Sequence, residues 1–298
     1  MRRDGVPFAA WSALLAALTL LVMIALRPAP LPEDLFDQLT GDRSRGRLVF
    51  AASGCSSCHS APEAKPGSAP VLSGGRGFKS PFGTFYAPNV SPGPSGLGFW
   101  TDVEIADAIL NGVGRGSTHL YPAFPYTAYT HMSQQDAVDL IAYLRTLPPS
   151  PAANKSHDIG FPFNIRLGVG AWKLLYLREG WVLDNATSPE LERGRYLVEA
   201  LGHCGECHTP RNFLGALDTS RWLGGAPNPA GEGTIPNITS GGLAWSEDEI
   251  TTFLKTGFTP TFDSAGGEMV KVIAGLSQLP QSDLEAIAAY LKAVPPID

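Results

Sequence analysis

Apolar residues recur at helical spacing in several short segments, and no segment of useful length alternates as a half-buried strand does. Leu48, Val49 and Ala52 predict a short helix that ends at a glycine. Residues 133–147 and 282–294 predict two further helices, each followed by a Pro-Pro pair that stops it. The pattern therefore predicts an all-α fold of short helices joined by long loops.

Two capping patterns mark the starts of further helices. Thr101 followed by Glu104 is a capping box that opens a helix over residues 103–111. Ser246 and Glu249 repeat the pattern and open a helix that ends near Gly257. These signals place a similar helix in each half of the chain.

The amino-terminal segment is the longest apolar run. Residues 8–26 carry no charge, with Arg2 and Arg3 before them and Arg27 after them. At about 1.5 Å per residue they make a helix of roughly 28 Å, close to the hydrocarbon thickness of a bilayer. A cleaved signal peptide is the alternative, but prolines flank Ala29, which is the only candidate cleavage position. We expect a retained anchor with Arg2 and Arg3 in the cytoplasm.

Composition allows two domains and argues against one class of partner. A chain of 298 residues exceeds one typical domain, and 26 prolines with 33 glycines indicate long irregular connections. The net charge is −6, and no block of basic residues is present. Nucleic acid is therefore not an expected partner.

Three segments recur in the same order in the second half of the chain, which predicts one module present twice. The offset stays between 145 and 149 residues; the pairs are 45–59 with 193–208, 87–113 with 235–258, and 133–149 with 280–296. The expected division is an anchor over 1–30, a first domain over 31–150, a connector over 151–187 and a second domain over 188–298.

All four cysteines lie in two Cys-x-x-Cys-His motifs. They are Cys55, Cys58 and His59 in the first repeat, and Cys204, Cys207 and His208 in the second. This motif is the attachment signature of c-type haem. Two thiols on one turn can capture both vinyl groups as thioethers, while the adjacent imidazole faces the iron from the same side. The sequence therefore predicts two covalently bound haem c groups with His59 and His208 as iron ligands.

Two other uses of the cysteines are open to the same residues. Two Cys-x-x-Cys pairs can form a four-cysteine zinc site, and four thiols can form two disulfides. A separation of about 150 residues is unusually long for such a zinc site. Neither alternative uses the histidine that follows each pair, so both rank below haem attachment.

The order of helix, Cys-x-x-Cys-His motif, long loop and closing helices resembles class I cytochrome c domains. More narrowly, "FPFNIRLGVGAWKLLY" and "RGRYLVEALGHCGECHTPRNFLG" look like the cytochrome c subunits of membrane-bound alcohol, gluconate and related quinone-reducing dehydrogenases. The resemblance covers residues 41–298. Those subunits usually carry three haems and a carboxy-terminal membrane element, whereas this sequence has two haem motifs.

The resemblance implies a methionine as the second axial ligand of each iron, downstream of its haem motif. Met132 and Met269 are the candidates, one in each repeat. Met132 directly precedes a cap-like serine, where a residue of a hydrophobic staple would also stand. Related subunits often carry methionine at the position of Phe124, and His119 and His131 are the fallback ligands.

Irons with both axial positions filled transfer electrons and do not bind substrate. We expect a dihaem electron carrier with no activity of its own, anchored in a bacterial inner membrane with its haem domains in the periplasm. A dehydrogenase or quinone-oxidising complex would be its donor, and an oxidase, a cytochrome or a photosynthetic reaction centre its acceptor. The alternative is a dihaem enzyme of the peroxidase or thiosulfate dehydrogenase type with an open position on the first haem.

Overall fold

The structure is a computed structural model that describes residues 8–61, 70–229, 231 and 233–298. Its helices are α1 (Phe8–Ala25), α2 (Arg43–Ala52), α3 (Cys55–His59), α4 (Asp102–Asn111), α5 (Tyr126–Tyr129), α6 (Gln134–Leu144), α7 (Leu167–Tyr176), α8 (Pro189–Arg195), α9 (Gly205–His208), α10 (Glu247–Thr256), α11 (Met269–Leu276) and α12 (Gln281–Ala293). A π-helical segment, Tyr196–Leu201, extends α8, and Thr219–Arg221 is a 3₁₀ turn.

Each half is built on one crossing of two helices. In the first half α2 packs against α6, and in the second α8 packs against α12. Both crossings depend on a glycine, because a Cβ on Gly46 would lie 1.9 Å from the Asp139 carbonyl oxygen and one on Gly194 would lie 2.0 Å from that of Ala286. The backbones therefore touch at these points.

The predicted caps are confirmed. Thr101 and Glu104 form the reciprocal capping box of α4, and Ser246 and Glu249 form that of α10. Gly112 ends α4 in the left-handed conformation with φ 60°, and Gly257 ends α10 with φ 79°.

The prediction of an all-α fold is correct for the helical framework and incomplete for the loops. A hairpin of β1 (Gly77–Ser80) and β2 (Gly83–Tyr86) is joined by β5 (Asp158–Ile159) from the connector. Two smaller pairs complete the described strands: β3 (Val113–Gly114) with β4 (Thr118–His119), and β6 (Ala226–Pro227) with β7 (Thr234–Ile235). Strands of two to four residues are too short to show an alternating pattern.

The amino-terminal helix α1 is long and apolar enough to cross a membrane. Its mean hydropathy is 2.3, and none of its residues is buried against the rest of the chain. A signal sequence has the same properties. Arg2 and Arg3, on which the expected orientation rests, lie outside the described residues.

The two halves share one hydrophobic core, and elements of each half pack against the other. Helix α11 of the second half packs against α2 of the first, where a Cβ on Gly275 would lie 2.4 Å from the Ala51 carbonyl oxygen. Helix α5 of the first half packs against the π-helical segment of the second. The Tyr196 hydroxyl also donates to Asp136 and accepts a 3.1 Å hydrogen bond from the Ser133 N–H.

Candidate functional site

The first Cys-x-x-Cys-His motif forms a single helical turn. Gly54 ends the approach from α2 in the left-handed conformation with φ 59°, which turns the chain sharply into α3. Helix α3 then carries Cys55, Cys58 and His59, all of them half-buried. The turn therefore presents two thiols and an imidazole on one short element, as the sequence predicted.

The His59 ring is oriented by a backbone carbonyl. Its Nδ1 lies 2.9 Å from the Pro88 carbonyl oxygen. A carbonyl only accepts, so Nδ1 carries the proton and Nε2 keeps its lone pair. Histidines that bind metals are oriented in this way by a hydrogen bond at the other ring nitrogen.

The second motif repeats this arrangement. His208 Nδ1 lies 2.8 Å from the Pro236 carbonyl oxygen. The carbonyl of each histidine also accepts a 2.7 Å hydrogen bond from a left-handed glycine, Gly74 for His59 and Gly225 for His208. A Cβ on Gly74 would lie 2.4 Å from Pro88, so this approach needs glycine. Residues about 150 positions apart thus build the same site twice.

Electrostatics favours neutral ligands in both motifs. Burial lowers the pKa of His59 and of His208, which keeps both imidazoles uncharged near neutral pH. Burial raises the pKa of the Cys55 and Cys204 thiols to about 12. Cysteine pairs that exchange disulfides have lowered pKa values, so these thiols do not resemble a redox-active pair.

The alternatives for the cysteines find no support in the described part of the chain. All four cysteines are unpaired in the described structure. The described residues contain no group of three or more histidine, cysteine, aspartate or glutamate side chains placed to hold a metal ion. The donor set of each motif, two thiols and one oriented imidazole, instead fits a covalently attached haem.

The two candidate methionines occupy different environments. Met132 is 5% exposed and lies in the shared core, directly before Ser133, which caps α6. Met269 is half-buried and is the first residue of α11. Both follow their haem motif along the chain, and neither thioether is assigned to an iron by the geometry.

Each fallback histidine has one ring nitrogen in a polar contact and one without a partner among the described residues. His119 is buried, and its Nε2 lies 2.8 Å from the Leu26 carbonyl oxygen, so this nitrogen is engaged by the amino-terminal segment. His131 stacks on Trp181 with ring centroids 4.7 Å apart. Its Nδ1 contacts the Ala128 carbonyl, and its buried Nε2 has no partner among the described residues. The Nδ1 of His119 is likewise buried without a partner among the described residues, so each of the two histidines keeps one unpaired ring nitrogen.

The two motifs meet each other, which the sequence did not reveal. The Ser53 carbonyl oxygen, two residues before Cys55, lies 3.3 Å from His203 Nε2. The same oxygen accepts a 3.0 Å hydrogen bond from the buried Tyr129 hydroxyl, and the Tyr129 and His203 rings meet edge to face. Since His203 directly precedes Cys204, the chain entering one motif is bound to the chain entering the other.

Polar contacts around both motifs also cross between the halves. Thr127 of α5 donates a 2.8 Å hydrogen bond to Glu206, which stands between the cysteines of the second motif. Arg76 donates to the Ser57 carbonyl of the first motif and forms a 2.5 Å ion pair with Glu268, next to Met269. The two sites are therefore parts of one structural unit.

Comparisons with known proteins agree with this geometry. The cytochrome c family model matches residues 44–148. A diheme cytochrome c-type protein of Cereibacter sphaeroides is 54% identical over 273 residues, which cover 91% of this chain and 92% of the relative. The fructose dehydrogenase cytochrome subunit of Gluconobacter japonicus is 38% identical over 85% of this chain. An alcohol dehydrogenase (quinone) cytochrome c subunit of Gluconobacter oxydans is 35% identical, also over 85%.

The fraction of each relative that this chain matches differs between them. This chain spans about half the length of the two dehydrogenase subunits, 52% and 55%. It spans nearly the whole length of the Cereibacter protein. With two Cys-x-x-Cys-His turns of matched geometry and a relative that is 54% identical over 92% of its length, the chain belongs to the diheme c-type cytochromes.

Proposed function

We propose that the protein is a membrane-anchored electron carrier with two covalent haems, one in each half. Residues 1–30 form the anchor, 31–150 and 188–298 form two tandem class I cytochrome c domains, and 151–187 connect them. The observation that carries the proposal is the duplicated site, in which a carbonyl at Nδ1 frees Nε2 of His59 and of His208.

The residues of this chain would have two roles, which are covalent attachment of each haem and ligation of its iron. The thiols of Cys55 and Cys58 would hold the first haem, and those of Cys204 and Cys207 the second. His59 with Met132, and His208 with Met269, would be the axial ligands. When bound, such a haem supplies a one-electron couple, and a thioether opposite imidazole raises its reduction potential. The protein's part is to fill both axial positions and to limit water access.

The contact between the motifs supports rapid exchange of electrons within one molecule. Ser53, Tyr129 and His203 bind the two attachment turns together, so both sites share one rigid frame. A fixed arrangement of this kind needs no domain movement between electron uptake and electron release. An electron would enter at one site and leave at the other.

The indole groups of Trp100 and Trp245 support the same assignment. Both side chains are half-buried at equivalent positions, directly before the N-cap residues of α4 and α10. Neither Nε1–H donates to another described residue, whereas Trp222 donates to Tyr290 and Trp172 to Leu214. A free N–H at each position would suit a haem propionate.

Location and partners follow from the anchor and from the relatives. With α1 across the bilayer and the two haem domains in the periplasm, the carrier would be held at the periplasmic face of a bacterial inner membrane. A dehydrogenase or a quinone-oxidising complex would be the donor, since several relatives are named as dehydrogenase cytochrome subunits. An oxidase or a second cytochrome would be the acceptor, and the chain's net charge of −6 would favour a basic docking surface.

A dihaem enzyme is the second candidate. It requires one iron with an open axial position, and the first haem would have one if Met132 does not ligate it. The other unpaired nitrogen donors among the described residues of the first half are Nε2 of His131 and Nδ1 of His119. We favour the carrier, in which Met132, downstream of the first haem motif, would fill this position.

Ligand binding separates the two functions. We expect the reduced full-length protein to leave carbon monoxide unbound at neutral pH, and the oxidised protein to leave hydrogen peroxide unconsumed, because both axial positions are filled. Met132→Ala, which empties one position, is the matched positive control and should bind carbon monoxide. Binding by the unmodified protein would assign the enzymatic function instead.

A further inference from the structure

The exit of α1 is fixed to the body of the protein. The Leu26 carbonyl oxygen, one residue after α1, lies 2.8 Å from His119 Nε2. The chain there passes so close to α7 that a Cβ on Gly170 would lie 2.4 Å from the same oxygen. Two further hydrogen bonds follow, from Asn111 Nδ2 to the Ala29 carbonyl and from the Leu31 N–H to Asp107. The segment after α1 is thus a docked strap.

The connector, residues 151–187, also contacts the region around His119 where the segment after α1 is bound. Arg166 donates a 2.7 Å hydrogen bond to the carbonyl of His119, the residue that holds Leu26. Tyr121 donates to the Phe163 carbonyl over 3.0 Å, and Arg166 lies over the Tyr121 ring. The loop 161–166 and helix α7 therefore lie beside the place where α1 leaves the body.

This part of the connector exposes an unusual number of apolar side chains. We call them the connector patch: Phe161 (80% exposed), Phe163 (44%), Ile165 (51%), Leu174 (70%) and Leu175 (70%). Leu174 follows Gly170 by one helical turn and lies on the same face of α7. Four residues along a helix are about 6 Å, so Leu174 lies within about one turn of the docked end of α1.

The charge around the patch differs in sign from that of the whole chain. Residues 155–179 hold four cations and two carboxylates, while the chain carries −6. Arg166 and Arg178 of this segment are exposed, and so is Arg27 at the end of α1. Apolar side chains rimmed by basic groups are typical of surfaces that lie in the interface of a bilayer with anionic lipids.

We propose that the connector patch rests in the headgroup region of the bilayer, as a second membrane contact that fixes the orientation of the two haem domains. The inference builds on the proposed anchor. The end of α1 lies at the edge of the hydrocarbon core, and the headgroup region beyond it is roughly 5–8 Å thick. The patch stands at this level because the strap, His119 and Gly170 join it to the end of α1. A lipid surface is therefore the occupant that continuity with α1 and the basic rim favour.

Spin labels placed on the full-length holoprotein test this directly. Leu174→Cys and Phe163→Cys probe the patch, Leu18→Cys probes α1, and Asp248→Cys on the exposed start of α10 is the matched control. The four native cysteines are thioethers under the proposed function, so each label reports one position. The protein is placed in nanodiscs of phosphatidylcholine with phosphatidylglycerol, and collisions of the label with oxygen and with a water-soluble nickel chelate are compared in the reduced state.

We expect a severalfold higher ratio of oxygen to nickel accessibility at positions 18, 163 and 174 than at 248. A high ratio at position 18 with patch values equal to the control would overturn the second contact and leave the anchor intact. Low ratios at all four positions would overturn both membrane contacts. Labelling of the unmodified protein would show free thiols, and this outcome would contradict the haem assignment itself. Protection of the patch only after a dehydrogenase is added would also overturn the proposal, in favour of a protein partner.

Discussion

Tyr129 donates its hydroxyl proton to the carbonyl oxygen of Ser53, at 3.0 Å, and this oxygen also lies 3.3 Å from His203 Nε2. One backbone oxygen thus joins a buried tyrosine of the first half, the approach to the first haem motif and the approach to the second. This oxygen therefore links the backbone segments that enter the two haem motifs.

Removal of the Tyr129 hydroxyl should weaken this junction. We expect Tyr129→Phe to lower the free energy of unfolding by about 1 kcal/mol, because a buried hydrogen bond is lost while the ring packing remains. Electron exchange between the haems, followed by flash photolysis after partial reduction, should slow. Tyr143→Phe is the control, since the Tyr143 hydroxyl makes no hydrogen bond with the described residues and its ring packs on Phe50. Equal effects of the two substitutions would show that Tyr129 has no special role.

The axial methionines are tested by substitutions that keep their volume. Met132→Leu and Met269→Leu should each remove one methionine-to-iron charge-transfer band and lower one of the two reduction potentials, because leucine cannot ligate iron. Leucine at position 132 also avoids the cavity that alanine would leave in the core. An unchanged spectrum for Met132→Leu would withdraw this ligand, and His131→Leu would then be the next substitution to examine.

The close contact at each helix crossing makes stability depend on glycine at positions 46 and 194. Gly46→Ala and Gly194→Ala should each destabilise the protein by about 1–3 kcal/mol, since the new methyl group would collide with a carbonyl of the opposite helix. Gly168→Ala in α7 is the matched control, because a Cβ there meets nothing within 4 Å. We expect that control to be neutral or to stabilise the helix by several tenths of a kcal/mol. Thermal unfolding in detergent measures all three, and tolerance of alanine at position 46 would contradict the described crossing.

Asp139 should contribute to stability in a pH-dependent way. It is fully buried, and burial raises its pKa, but hydrogen bonds from Arg45, the Asp42 N–H and Gln135 outweigh burial and hold the pKa below the usual value of 3.8. A lowered pKa in the folded state stabilises the protein above pH 3.8, and this contribution disappears as the pH falls through the folded value.

Asp139→Asn should therefore destabilise the protein at pH 7 and flatten the loss of stability on acidification. Unfolding by denaturant at a series of pH values below 5 measures both effects. Glu179→Gln replaces an exposed carboxylate of the connector that takes part in no ion pair among the described residues, and it serves as the control. A variant with the full acid dependence of the unmodified protein would refute the assignment.

The helices and the haem motifs were predictable because their signals are local. A capping box or a Cys-x-x-Cys-His turn is complete within five residues, so no knowledge of the rest of the fold is required. The repeat extended these predictions to the second half. The short strands were not predictable, since two to four residues are too few to show alternation. The third strand of the largest sheet, β5, also comes from the connector more than 70 residues after β2.

Contacts between the halves could not be predicted from the sequence either. No pattern in the sequence links His203 to the first motif, and only the fold shows that it reaches that motif. The ion pairs illustrate the same limit. Arg193 pairs with Asp283, whereas its counterpart Arg45 pairs with Asp139 and not with Asp136, which aligns with Asp283. Asp136 instead accepts from Tyr196 of the other half.

The central claim is that both motifs carry a covalently attached haem. The direct test is to unfold the purified full-length protein in acid, extract it with organic solvent and count the haem that remains bound by its pyridine haemochrome spectrum. We predict two haems per chain in the unmodified protein, and one when Cys204 and Cys207 are both replaced by serine. A colourless, iron-free chain, or a single retained haem in the unmodified protein, would contradict the account.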